Sequence, residues 1–190
     1  MVEFPPLMPS SGWFGTYFNE LRKGKSPKEA TLKANEKTSG RDFARFTIEA
    51  IKGEVMVLSA AVEGGARQLR SLDKLVDLKL SDHGEWRRVH LRTLDACLGR
   101  KPYFPYLFPQ LEKVYSDRQI LTLQEFNIAI FKILYSFINI NDKEILTYNN
   151  NLILRERGKE VSDRIKPFIS AVEAISTFGK ETLLGFLTLN

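Results

Sequence analysis

The chain is poor in the residues that most often carry soft or redox chemistry. It holds one cysteine and two histidines among 190 residues. A lone cysteine, Cys97, excludes a disulfide within the chain and points to a reducing compartment. The two histidines, His83 and His90, have no C-x-x-C pair beside them, so no metal and no cofactor are expected. Long apolar runs are also missing. The longest, "FNIAIFKILYSFINI" (Phe126 to Ile140), is about a turn short of a membrane span and carries Lys132, so it reads as a buried helix. The opening "MVEFPPLMPSS" has no basic n-region and sets two prolines where a signal peptide needs an apolar run. A cytoplasmic protein without a transmembrane segment is therefore expected. The net charge is only +5, and the basic residues are scattered. No Lys/Arg block interleaved with aromatics is present, so no nucleic-acid partner is expected. So mild a charge suits a phosphate-bearing or acidic small molecule and equally a protein with none.

Aromatic residues are abundant, with 13 Phe, 6 Tyr and 2 Trp, enough to fill a core. No internal repeat and no low-complexity linker interrupts the chain. The expectation is a single domain over 1–190, strand-rich over 1–82 and helix-rich over 83–190. After an extended start, Trp13, Tyr17, Phe18 and Leu21 recur at helical spacing from about Gly12. Ser26-Pro27 forms a cap and first-turn pair for a second, polar helix, read as surface. In "RFTIEAIKGEVMVLSAAVEGG", Phe46, Ile48 and Ala50 alternate with polar neighbours. Lys52-Gly53 then turns the chain into a return strand, a β-hairpin that Gly64-Gly65 closes. "KLVDLKLSD" reads as a third strand with weaker alternation. From Gly84 the period becomes helical. One helix is expected from about Glu85 to a stop at Gly99. A second opens at Pro102, with Pro105 in its first turn and Pro109 as a break or kink. A third starts at Thr122, where Glu125 completes a capping box. "EILTYNN" reads as a late strand. The class is α+β, a small, mostly antiparallel sheet followed by a helical half.

The stretch "EWRRVHLRTLDACLGRKPYFPYLFPQLEKVY" (Glu85 to Tyr115) holds an anomaly. At roughly 100° per residue, Trp86, His90, Leu94 and Cys97 share one helix face, and Arg87 falls between Leu94 and Leu98. Arg88, Arg92 and Asp95 point the other way. Burying an imidazole or guanidinium without a partner is costly, so each has a partner or the face borders a cleft. The bland alternatives are a core histidine bonded to a backbone carbonyl and an arginine snorkelling at the edge of the face. Cys97 reads as a small core residue.

The same stretch resembles the central motif of the WbqC-like family, a Trp and His four apart, then a "PYF" and a Tyr closing the next helix. Trp86, His90, Pro102, Tyr103, Phe104, Tyr106 and Tyr115 occupy those positions. In the same order along the chain, "LMPSSGWFGTYF", "ARFTIEAIKGEVMVLSAAVEGG", "LQEFN" and the tail "KPFISAVEAISTFGKETLLGFLTLN" resemble other family stretches. Arg45 matches the arginine of an Asn-Arg pair whose asparagine is Ala44 here, and Asn127 matches a motif asparagine. A Trp usual after the histidine is Leu91 here, and a Tyr usual near Cys97 is absent.

The resemblance implies a protein of surface-polysaccharide (O-antigen) gene clusters. It would be a transferase acting on a nucleotide-linked sugar or related precursor, through acyl or aminoacyl transfer. On that reading His90 is the general base. Arg45 and Arg87 hold phosphate or carboxylate, Trp86 and Tyr103 stack on a sugar or base, and Asn127 orients an acceptor group. Ser10 and Ser11 are weaker nucleophile candidates. The partner is a small molecule, a nucleotide sugar or acyl donor, and the sequence sets no oligomeric state. The competing expectation is a non-catalytic binding or scaffold protein of the same pathway, favoured by the missing asparagine and by the lack of a triad, phosphate loop or metal cluster.

Overall fold

The computed structural model describes residues 1–49, 53–101 and 104–138. Five α-helices and one hairpin follow the extended N-terminal segment among these residues. They are α1 (Ser11–Arg22), α2 (Pro27–Asn35), β1 (Arg45–Glu49), β2 (Val55–Ser59), α3 (Trp86–Leu98), α4 (Phe104–Ser116) and α5 (Leu123–Ile138). The class is α+β, with a two-stranded antiparallel sheet in the first half and helices in the second.

Local chemistry explains most boundaries. Ser10 caps α1 by accepting from the Trp13 amide at 3.1 Å, so its hydroxyl serves the helix rather than a reaction. Ser26 and Glu29 form a reciprocal capping box on α2, with Pro27 in the first turn. Thr122 and Glu125 do the same for α5. The hairpin register pairs Arg45 with Ser59 and Glu49 with Val55, and Phe46, Ile48 and Leu58 turn inward.

Several sequence expectations are corrected. The 1–82 stretch carries α1 and α2 as well as the hairpin. Helix α2 is not a surface helix, because Ala30, Thr31, Ala34 and Asn35 are buried. "KLVDLKLSD" is not a strand. Leu75 bonds back to Leu72, and Leu78 back to Leu75, so the chain rolls in steps of three that bury both leucines. Among the described residues, only single β-bridges, Val62 with Leu80 and Lys79 with Thr122, pair this stretch with its neighbours. Gly99 does end α3, as its C-cap, with helical dihedrals. Pro109 leaves α4 running on to Ser116. The proposed opening at Pro102 and the late strand "EILTYNN" lie outside the described residues.

Two hydrophobic clusters hold the fold. The larger joins α1, the hairpin and α3 to α5. At its end, Phe14 stacks on Phe131 at 5.5 Å and Trp13 meets the same ring edge-on at 5.7 Å, binding α1 to α5. The smaller gathers Val2, Phe4, Phe43, Leu69, Leu75 and Leu123. Two buried asparagines fix the N-terminal segment across these clusters. Asn35 donates to the Val2 and Phe4 carbonyls and accepts from the Trp13 indole at 2.8 Å. Asn127 donates to the Pro5 carbonyl at 3.0 Å and the Phe43 carbonyl at 2.8 Å.

Candidate functional site

The sequence candidates divide among three places. His90 is 1% exposed and sits on the inner face of α3. Trp86, Phe46 and Tyr115 surround its ring at centroid distances of 5.1, 5.6 and 5.7 Å. Nδ1 lies 3.1 Å from the Tyr115 hydroxyl. Burial pushes the imidazole pKa down to about 4, and the Ser59 main chain opposes this without reaching hydrogen-bond geometry at Nε2. The ring is therefore neutral at neutral pH. Nδ1 and the Tyr115 hydroxyl share one hydrogen bond, and Nε2 has no hydrogen-bond partner among the described residues. The motif residues Trp86, His90, Phe104 and Tyr115 thus build core, whereas Tyr106 is exposed.

Arg87 has a side chain only 8% exposed. Its Nη1 donates to the Tyr115 and Asp117 carbonyls, and Nη2 to the Ile120 carbonyl at 3.2 Å. The guanidinium packs over Trp86 and Phe126 at 5.1 and 5.3 Å. Burial lowers its pKa, against the pull of Asp82, whose Oδ1 lies 3.7 Å from Nε. Arg87 thus ties α3 to the link between α4 and α5. Trp86, whose indole donates to the Ser81 carbonyl, and Arg87 border a pocket of about 180 Å³. The other walls of this pocket are two ion pairs, Arg88 with Glu85 and Arg118 with Asp82. Asn127 is fully buried, and its amide serves main-chain carbonyls. Tyr103 lies outside the described residues.

Arg45 is placed differently. It opens β1 at the wall of a cleft of about 790 Å³. The polar lining is Arg41, Arg45, Ser59, Glu63, Ser81 and His83, and four alanines, Ala44, Ala60, Ala61 and Ala66, line it beside Val62 and Leu69. Three segments make it: the 3-10 turn Gly40–Phe43 running into β1, the end of β2 with the Gly64-Gly65 turn, and the 81–83 loop. Two features hold these segments together. The Val62–Leu80 bridge joins the second to the third. Gly40 presses on the Leu69 carbonyl so closely that a Cβ would stand 2.1 Å from that oxygen, which joins the first to the second. Asp42 holds Arg45 by an ion pair, Oδ1 to Nε at 3.3 Å.

His90 and Arg45 therefore do not meet on one surface. Sequence reasoning missed Arg41, Glu63 and the cleft position of His83, which it weighed only as a metal ligand. The signal was the "EGG" turn after β2, where Gly64 and Gly65 take φ of 72° and 70° and bend the chain around the cleft. Among the described residues, no three His, Cys, Asp or Glu side chains gather as a metal site, and no helix is long and apolar enough to cross a membrane.

No curated protein and no solved structure matches the chain. A family model does match, over residues 38–180, well over half the chain and including the hairpin, the cleft and α3 to α5. The opening "LMPSSGWFGTYF" lies ahead of that region. The span takes in Arg45, Trp86, His90 and Asn127, and on it the chain belongs to the WbqC-like protein family.

Proposed function

We propose that the chain is a transferase acting on a nucleotide-linked sugar or related precursor of bacterial surface polysaccharide, and that this ligand sits in the cleft beside Arg45. The placement of Arg45 carries the reading. Among the described residues it is the one sequence candidate that lines a cleft of about 790 Å³, inside the range of about 300–1,000 Å³ usual for small-molecule sites. Arg41 and Arg45 offer guanidinium donors suited to phosphate. The alanines of its lining leave room for a ring. The O-antigen setting rests on the family resemblance, and a cytoplasmic location suits nucleotide-linked precursors.

In acyl or aminoacyl transfer, the acceptor oxygen or nitrogen bonds the acyl carbon, the donor's leaving group departs, and a base takes the acceptor proton. His90, enclosed and with its basicity lowered by burial, is poorly placed for that task. Glu63 and His83, on the cleft wall, are better placed. The enclosure of His90 also favours a second reading, a non-catalytic binding protein of the same pathway.

A thermal-shift screen of wild type and Arg45→Ala against nucleotide sugars and acyl-CoAs tests the site. A nucleotide sugar is expected to raise the melting temperature of wild type and not of the folded variant. Equal stabilisation of both would place the ligand elsewhere. Transfer of labelled acyl groups, lost in Glu63→Gln or His83→Ala, separates the enzyme from the binder.

A further inference from the structure

We infer that Asp42 is a positioning residue, one that aims Arg45 at an anionic group in the cleft, so that removing this carboxylate weakens anion binding although it removes a like charge. The inference rests on the reading of the cleft above as a ligand site.

The geometry separates the two ends of the guanidinium. Asp42 Oδ1 accepts from Nε alone, at 3.3 Å. Among the described residues, Nη1 and Nη2 have no hydrogen-bond partner, which leaves the fork end for phosphate oxygens. Asp42 is itself held, because Oδ2 accepts from the Ser39 amide at 3.1 Å and the Ser39 hydroxyl at 3.0 Å. The turn that carries it is pinned to the opposite wall by the Gly40 contact with Leu69. A long side chain is thus anchored at Nε to a fixed point. The ion pair is exposed, 42% and 43% at its two side chains, so it adds little to folding stability. Its larger effect is on order, since an arginine already held loses less freedom when a ligand binds.

Simple electrostatics and positioning predict opposite signs. If Asp42 acts only as a nearby negative charge, its loss tightens anion binding. If it positions Arg45, its loss weakens binding.

The test is calorimetric titration of pyrophosphate and uridine diphosphate into wild type, Asp42→Ala, Arg45→Ala, the double variant and Ser39→Ala. Asp42→Ala is expected to bind about three- to tenfold more weakly, the size expected when one rotamer-rich side chain loses its anchor. In the Arg45→Ala background the same change is expected to cost nothing further. Ser39→Ala keeps the Ser39 amide bond to Asp42 Oδ2 and removes only the hydroxyl bond, so its loss of affinity should be smaller than that of Asp42→Ala; an equal loss would assign the effect to the turn and overturn the role of the carboxylate. Asp42→Ala binding as tightly as wild type or tighter overturns the positioning role alone. An equal loss with and without Arg45 also overturns it. Failure of wild type to bind either probe overturns the cleft reading and the positioning role together.

Discussion

His90 and Tyr115 meet inside the core, imidazole Nδ1 to phenol oxygen at 3.1 Å, each side chain 1% exposed. The consequence is a pH dependence with a definite sign. The folded-state pKa is pushed down to about 4 from 6.5, so the unfolded chain binds the proton more readily. Stability from the neutral ring is complete above pH about 6.5 and is lost as pH falls toward 4, by about 3 kcal/mol as an upper bound. The double variant His90→Leu/Tyr115→Phe removes donor and acceptor together, so it leaves no orphan polar group. Denaturant titrations from pH 7.5 to 4.5 should show wild type losing stability more steeply than this variant. Parallel curves would mean that the imidazole is not the titrating group.

Gly40 is predicted to be the least replaceable residue of the cleft's first wall. An added methyl would stand 2.1 Å from the Leu69 carbonyl oxygen, a backbone atom. The two walls would have to separate. Gly40→Ala should destabilise by about 2–3 kcal/mol, and any cleft ligand should bind it more weakly. Gly65→Ala is the useful contrast, because its Cβ meets nothing within 4 Å and only the positive φ is strained. A Gly40→Ala protein that melts with wild type would show that the walls yield easily.

Arg87 is predicted to act through its shape as well as its charge. It reaches three carbonyls from residues Tyr115, Asp117 and Ile120. A lysine keeps the charge but not the planar fork. Arg87→Lys should lose about 2–3 kcal/mol, the scale of charge-assisted hydrogen bonds left unmade. Urea unfolding at constant slope measures it. Full rescue by lysine would reduce Arg87 to a point charge.

The legible parts of the fold are those governed by neighbours in sequence. Ser26 with Glu29, Thr122 with Glu125, and the alternation of Phe46 and Ile48 each state their structure within a few residues. "KLVDLKLSD" misled because its leucines satisfy a distant core rather than a strand partner. Helix α2 looked polar because its short buried face is alanine, threonine and asparagine. The site divides in the same way. The helix wheel placed His90 on the inner face, but whether that face met a cleft depended on Tyr115, 25 residues further on. Arg45 came from motif resemblance, while Arg41 shares its turn, Glu63 reaches it through the pairing of β1 with β2, and His83 joins it through the Val62–Leu80 bridge.

The asparagine that fastens Pro5 comes 122 residues later in the chain. On a ribosome adding about 5–20 residues per second, the N-terminal segment waits roughly 6 to 24 s for that amide to be made. Throughout this interval Val2, Phe4, Leu7 and Met8, all buried in the finished fold, lack part of their cover. This segment is thus among the last parts of the described fold to settle, and vectorial synthesis leaves its apolar side chains in the care of whatever holds nascent chains.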